Sequence, residues 1–235
     1  MSDIIAIIPA RGGSSRIPEK NIRKLAGKPL IAHTIEDALE SEMIDSAIVS
    51  TDDEKIATIA KEFGGDVPFL RPEELATDTA PTTPVITHAL DWIKDNRGVT
   101  YDIIVLLQVT SPFRKSKDID EMINKLLSTE ATSAISTTEY NVPPQWAVSK
   151  DSQGYLCPHY DDSPLWSESP SRSQDFTLEH PNGAIFSTYV KEFRETETFY
   201  TDQTVGYKMP PERSIDIDEP FDFQIAKALL ESSED

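Results

Sequence analysis

The chain contains a single cysteine, Cys157, in 235 residues. That excludes an intramolecular disulfide and any zinc site built on paired thiolates, and it fits a reducing cytoplasm. Cys157, between Leu156 and Pro158, reads as a packing residue. Long apolar runs are also missing. No stretch reaches the roughly 18 apolar residues of a membrane span, and no basic-then-apolar leader precedes the first core strand, so neither insertion nor targeting is expected. Basic residues are scarce, with 22 Lys and Arg against 41 Asp and Glu and a formal charge of −19. Such a balance leaves no uniformly basic surface and argues against a nucleic-acid binder. There is no internal repeat and no low-complexity tract.

What is present is an alternation of strand and helix patterns, in a chain long enough for one sizeable α/β domain. The run IIAII at 4–8 lacks polar alternation and reads as a strand buried on both faces. Helical periodicity follows over Pro29–Ser41, with Leu30, Ile31, Thr34, Ile35, Ala38 and Leu39 on or near one face. Ser46–Ser50 reads as a strand and Glu54–Phe63 as a helix, capped by Thr51 or Asp52 and closed by Gly64-Gly65. Val85–Asn96 and Lys117–Ser128 read as helices, Tyr101–Gln108 and Ser133–Thr138 as strands. Repeated units of this kind predict a mostly parallel sheet with helices on both faces. From about Glu139 to Pro181 the pattern breaks, with Pro143, Pro144, Pro158, Pro164 and Pro170 among Trp146, Tyr155 and Trp166. A stretch that long inside one domain is expected to be a functional, β-rich arm. Strand pattern resumes at Gly183–Val190, and Pro220–Ser232 reads as a closing amphipathic helix.

The first strand runs straight into Pro9-Ala10-Arg11-Gly12-Gly13-Ser14-Ser15-Arg16-Ile17-Pro18-Glu19-Lys20-Asn21. Gly12 and Gly13 are able to take positive φ and to leave bare backbone for a ligand. Successive amides in such a turn form an anion-binding concavity, with Arg11, Arg16 and Lys20 as surrounding charges. A phosphate chain is the implied ligand. On a body of charge −19 the loop is a local positive focus.

Two later segments carry further chemistry. The strand ending Leu106-Leu107-Gln108-Val109-Thr110-Ser111-Pro112-Phe113-Arg114 delivers Gln108 and Thr110 to its carboxyl end, where open α/β sheets bind ligands. Gln108 both donates and accepts hydrogen bonds, which suits a polyhydroxylated or amide-bearing substrate, and Arg114 is placed to meet a carboxylate. In Arg213-Ser214-Ile215-Asp216-Ile217-Asp218, alternation puts Asp216 and Asp218 on one side of an extended segment. Adjacent carboxylates of this kind suit Mg²⁺ bound to substrate phosphates, or simply flank a helix start.

Together these segments resemble the acylneuraminate cytidylyltransferase family, the CMP-sialic acid synthetases. The motifs run over nearly the whole chain in the family's order: PARGGSSRIPEKN, GKPLIAHTIEDAL, VSTDDEKIA, FLRPEELATDTA, LLQVTSPFR, NGAIF and ERSIDIDEPFDF. The resemblance implies a three-layer αβα, Rossmann-like nucleotidyltransferase fold with residues 139–181 as an inserted dimerisation arm. It implies transfer of CMP from CTP to a nine-carbon acidic sugar, releasing pyrophosphate, with Mg²⁺ as cofactor and a homodimer as the working form. By the same resemblance Ala10, Arg11, Gly12, Gly13, Ser14, Lys20 and Asn21 would hold the triphosphate and ribose side, and Arg71 and Thr82 would lie around cytosine and ribose. Gln108, Thr110, Arg172, Gln174, Asn182 and Phe186 would contact the sugar. Asp216 and Asp218 would bind Mg²⁺ near Arg213, with Arg11 and Lys20 sharing the catalytic role.

The chain departs from the family in two places. Family members often read RRQ and place a tyrosine shortly before NGAI; here the text is Arg172-Ser173-Gln174 and then Glu179-His180-Pro181, with Phe186 as a partial substitute. Arg16 and Glu19 stand where glycines are frequent. These changes leave the nucleotide half intact and bear on which sugar is used. Activation of the eight-carbon Kdo or another sugar is the alternative reading, and a non-catalytic nucleotide- or sugar-binding relative is a third. NGAIF favours the nine-carbon branch, and the presence of Lys20, Asp216 and Asp218 favours an enzyme.

Overall fold

Strand β1 (Ile4–Pro9) sends Ile4, Ala6 and Ile8 to one face of the sheet and Ile5 and Ile7 to the other, and all five are buried. Both faces are covered by helices, which is why the sequence shows no polar alternation there. In this computed structural model residues 2–167, 172 and 178–231 are described. A two-residue ribbon of β2 (Lys24–Leu25) and β3 (Lys28–Pro29) follows the opening loop and leads into α1 (Leu30–Glu40). Then come β4 (Ser46–Ser50), α2 (Glu54–Glu62), α3 (Thr82–Arg97), β5 (Ile103–Leu107), α4 (Ser116–Leu127) and β6 (Ser133–Glu139). After a small hairpin of β7 (Val148–Lys150) and β8 (Leu156–Pro158), the chain returns as β9 (Glu179–Tyr189). It closes with α5 (Val190–Thr196), β10 (Thr204–Lys208) and α6 (Pro220–Glu231).

The main sheet has the order β10-β6-β9-β5-β1-β4. Pairs β1–β4, β1–β5 and β10–β6 are parallel, whereas β9 runs antiparallel between β5 and β6. Helices α1, α2, α4 and α6 contribute Ile31, Ile35, Ile56, Ile119, Met122 and Phe223 to the core on one face. On the other, α3 and α5 contribute Ile86, Leu90, Ile93 and Phe193. The result is the expected αβα sandwich with a mostly parallel sheet. None of the described helices is long and apolar enough to cross a membrane.

The sequence reading missed α5 and β10. Both are short and half-exposed, with buried positions too few to set a period. β9 also begins at Glu179, four residues before the predicted strand, because its first residues pair with Thr137–Glu139 of β6. In the region between β6 and β9, the strand content among the described residues is the three-residue hairpin β7–β8. Finally, the cap of α2 is Asp53, whose Oδ1 accepts from the amides of Lys55 and Ile56 at 2.7 and 3.0 Å, and not Thr51 or Asp52. Asp52 is occupied elsewhere.

Candidate active site

The loop after β1 is shaped by bonds to the end of β4. Ala10 is buried, and its amide donates to Ser50 O at 2.9 Å, extending the β1–β4 ladder one residue past the strand. The Gly12 amide donates to Asp52 Oδ1 at 3.0 Å. A Cβ on Gly12 would lie 2.7 Å from Asp53 Oδ2 and 2.9 Å from Asp53 Cβ. Neither Gly12 nor Gly13 has positive φ, contrary to the sequence expectation. Glycine is needed at 12 for close approach to Asp53, while a Cβ on Gly13 would meet nothing within 4 Å. Asn21 is buried and donates from Nδ2 to Arg11 O at 2.8 Å, which closes the loop on itself. Arg11 pairs with Asp78 at 2.5 Å.

A cleft of about 500 Å³ opens at the carboxyl ends of β1 and β5. Arg11, Gly13, Ser14, Arg16, Lys20 and Asn21 line it from the loop, and Arg71, Thr77, Asp78 and Ala80 from the connection before α3. Thr82 and Val85 of α3 form one wall, Gln108 and Thr110 another, and Asp218 closes it. Four segments distant in sequence thus meet in one polar cavity, and Asp218 represents the Asp216-Asp218 pair there.

Arg71 is almost fully buried, donates its amide to Thr51 O at 2.7 Å, and directs Nη2 to Asp52 Oδ1 at 3.4 Å. Burial lowers its pKa, Asp52 opposes that, and its Nε has no hydrogen-bond partner among the described residues. Asp52 therefore links the Gly12 loop to Arg71 through one oxygen. Sequence reasoning gave it only a capping role; the signal was a second aspartate directly after a strand end, where one suffices for the cap.

The carboxylate segment is tied down on the same side. Ile217 is buried and donates its amide to Thr110 O at 2.8 Å. Lys20 Nζ donates to Ile217 O at 2.8 Å and to Asp218 Oδ1 at 3.2 Å. Arg16 lies 3.4 Å from Asp218 and 3.4 Å from Glu219. Asp216 and Asp218 are exposed while Ile217 is buried, so the predicted alternation holds there. Asp216 is open to solvent on one side but crowded by protein on the other. That crowding, with Asp218 and Asp222, pushes its pKa up. Thr110 and Lys20 pull it down, although among the described residues the Thr110 hydroxyl forms no hydrogen bond of ordinary geometry. Among the described residues no group of three or more His, Cys, Asp or Glu side chains could hold a metal. Two adjacent carboxylates are nonetheless a hard-oxygen set that fits Mg²⁺ when phosphate oxygens and water complete the shell.

Other expected site residues lie elsewhere. Asn182 is buried with its amide bonded inside the protein, and Phe186 packs against the rings of Phe199 and Tyr200. Neither lines the cleft, and nor does Asp216. Arg172 is exposed, and Gln174 falls outside the described residues. Among the described residues Arg114 meets no carboxylate at hydrogen-bond distance. It is fully buried, donating from Nη1 to Ala184 O at 2.8 Å and Gln108 O at 3.2 Å, and burial lowers its pKa to about 10. Arg213 points away from the carboxylate pair and clasps buried Asp118 at 2.8 and 3.0 Å.

A glycine-bearing loop after the first strand of an open α/β sheet, with cations and carboxylates around a cleft at the strand ends, is the arrangement in which such sheets hold anionic ligands. Residues 5–217 match the family model described as Cytidylyltransferase. The chain belongs to that family, whose members are enzymes. It is 38% identical to the CMP-N,N'-diacetyllegionaminic acid synthase of Legionella pneumophila, over 99% of this chain and 98% of that one. It is 40% identical to the N-acylneuraminate cytidylyltransferase of Escherichia coli, covering 95% of this chain but 51% of the relative. The pseudaminic acid cytidylyltransferase of Campylobacter jejuni is 33% identical, over 96% and 95% of the two chains. Among solved structures, a CMP:2-keto-3-deoxy-manno-octonic acid synthetase complexed with CTP superposes with TM-score 0.71 at 19% identity, covering 99% of this chain and 100% of that one. That likeness concerns the fold.

Proposed function

We propose that the protein transfers CMP from CTP to the anomeric hydroxyl of a sialic-acid-like nonulosonic acid, releasing pyrophosphate. The observation that carries this reading is the meeting of the Arg11–Asn21 loop, Gln108 and Asp218 in one cleft. The named relatives act on legionaminic, neuraminic and pseudaminic acids, all of that sugar class. Arg11 and Lys20 would neutralise the charge of a triphosphate, and Arg71 and Thr82 line the same cleft. Gln108 offers an amide to sugar hydroxyl or acyl groups. Displacement at the α-phosphate needs distributed neutralisation of charge and no covalent intermediate. Asp216 and Asp218 are the residues that would hold Mg²⁺, which supplies Lewis-acid polarisation of phosphate oxygens when bound.

The working form in this proposal is a homodimer in the reducing cytoplasm. Tyr155, Leu156, Tyr160, Leu165 and Trp166 are large apolar side chains left exposed within the inserted arm, which is where the partner would dock. Arg172, at the end of that arm, would serve a sugar carboxylate across the interface.

The test is pyrophosphate release from CTP with Mg²⁺ against a panel of neuraminic, legionaminic and pseudaminic acids and Kdo. Turnover is expected with at least one nine-carbon acid and not with CTP alone. Turnover with Kdo only would transfer the enzyme to the eight-carbon branch. CTP binding with no turnover on any sugar would reject catalysis.

A further inference from the structure

Two steps along β6, from Ile135 to Thr137, face five along β9, from Phe186 to Pro181. The surplus makes a bulge at Asn182-Gly183-Ala184, where Gly183 has φ of 77°. Bulges next to active sites commonly re-aim the chain. Ser136 fills this one, accepting the Ile185 amide at 2.8 Å and donating to Asn182 Oδ1 at 2.6 Å. Asn182 Oδ1 also accepts the Ala184 amide at 3.2 Å. On its other side, Nδ2 donates to Ser214 Oγ at 2.8 Å and reaches Met209 Sδ at 3.3 Å. Ser214 Oγ donates in turn to Pro210 O at 2.9 Å, so it must receive its proton contact from Asn182. The amide of Asn182 is thereby fixed in one orientation, with oxygen and nitrogen both fully used and nothing left for a ligand.

Ser214 stands two residues before Asp216, and a Cβ on Gly183 would lie 3.9 Å from Asp216 Oδ2. At the far end, Ile217 is held by Thr110 and Lys20. The carboxylate segment is therefore pinned on both sides of Asp216, once by the Asn182 bulge and once by the end of β5. We propose that Asn182 is a positioning residue for Asp216 and Asp218 and makes no contact with the sugar. The inference rests on reading those two carboxylates as the metal-holding pair.

Mn²⁺ replaces Mg²⁺ as the probe, with its affinity for the CTP-bound protein read by electron paramagnetic resonance, and the Michaelis constant for the sugar is measured beside it. Asn182→Asp keeps size and the Oδ1 acceptor but sets a second acceptor against Ser214. It is expected to weaken Mn²⁺ binding about tenfold, as outer-shell changes do, with the sugar KM within about twofold of the parent. Ser214→Ala, at a half-buried position, is expected to behave alike, and the double variant to add little. A raised sugar KM with unchanged Mn²⁺ affinity would overturn the proposal in favour of a sugar contact. Asp216→Ala separates the two levels. If it weakens Mn²⁺ binding while both Asn182→Asp and Ser214→Ala do not, the positioning role fails alone. If Asp216→Ala leaves Mn²⁺ affinity unchanged, the metal reading fails and takes the positioning role with it.

Discussion

Lys20 Nζ donates to the main-chain carbonyl of Ile217 at 2.8 Å, joining positions 197 residues apart. One ammonium thus closes the loop after β1 over the carboxylate segment and still lines the cleft. Lys20→Met retains the aliphatic stem but loses the charge. Its kcat/KM for CTP is expected to fall on the order of 10²-fold, comparable with loss of one charge-stabilising donor. Lys20→Arg is expected to restore little, since a planar fork does not replace a compact ammonium at a main-chain carbonyl. Pyrophosphate-release kinetics would check both, and a parent-like rate in Lys20→Met would remove Lys20 from the site.

Adjacent glycines are expected to respond in opposite ways. At Gly12 a methyl group meets Asp53, which is immobilised as the cap of α2. Gly12→Ala should cost about 1–3 kcal/mol, as overpacking generally does. Gly13→Ala meets no protein atom and should leave the urea midpoint unchanged while raising KM for CTP, because the methyl occupies ligand space. Equal destabilisation of both variants would contradict the loop geometry.

Asp52 is expected to matter to nucleotide affinity although it lies outside the cleft lining. Its Oδ1 accepts from both Gly12 and Arg71. Asp52→Ala strands the buried guanidinium and frees the loop, so KM for CTP should rise roughly tenfold, the cost of a charge-assisted hydrogen bond of about 1.5 kcal/mol. Asp52→Asn keeps an acceptor for Gly12 and should recover part of that loss. Isothermal titration with CTP distinguishes the two.

Asp37 provides a pH signature of stability. It is buried in α1, its pKa is raised to about 7, and burial outweighs the attraction of Arg114 and Lys115, with Glu40 and Asp118 adding to the rise. A carboxyl whose folded pKa lies above its unfolded value binds more protons in the native state. Stability therefore falls as pH rises from about 4 to about 7, by up to about 1.4 kcal/mol per pH unit. Asp37→Asn should flatten the pH dependence of the urea midpoint across that window. An unchanged slope would mean that Asp37 ionises normally in the fold.

Most of the central sheet was legible because its strands are covered on both faces and read as continuous apolar runs, IIAII and IIVLL most plainly. The cleft was legible for a different reason. Arg11 and Gln108 leave the ends of β1 and β5, which are neighbours in the sheet, so one rim holds both; Lys20 and Asp218 lie well past any strand, and their motifs mark them. What the sequence concealed were the interactions that hold these residues in place. Nothing local marks Arg114 as a buried brace for Gln108 and Ala184, or sends Arg213 to Asp118 instead of toward the carboxylate pair. The resemblance implies a sugar contact for Asn182, yet its side-chain partners lie in β6, in β9 itself and beyond β10. Short or half-buried elements such as α5 and β10 lacked a period altogether, and their places are set by the sheet.

The antiparallel course of β9 has a consequence for how the arm is carried. Glu139 at the end of β6 pairs with Glu179 at the start of β9, and the Tyr140 amide still reaches Leu178 O at 3.1 Å. The whole excursion is thus the loop of one β-hairpin, entering and leaving the domain through a single gate of neighbouring strands. Closing so long a loop costs an entropy that grows only with the logarithm of its length. A change in the length of that segment is therefore expected to leave the strands that bear the cleft in place.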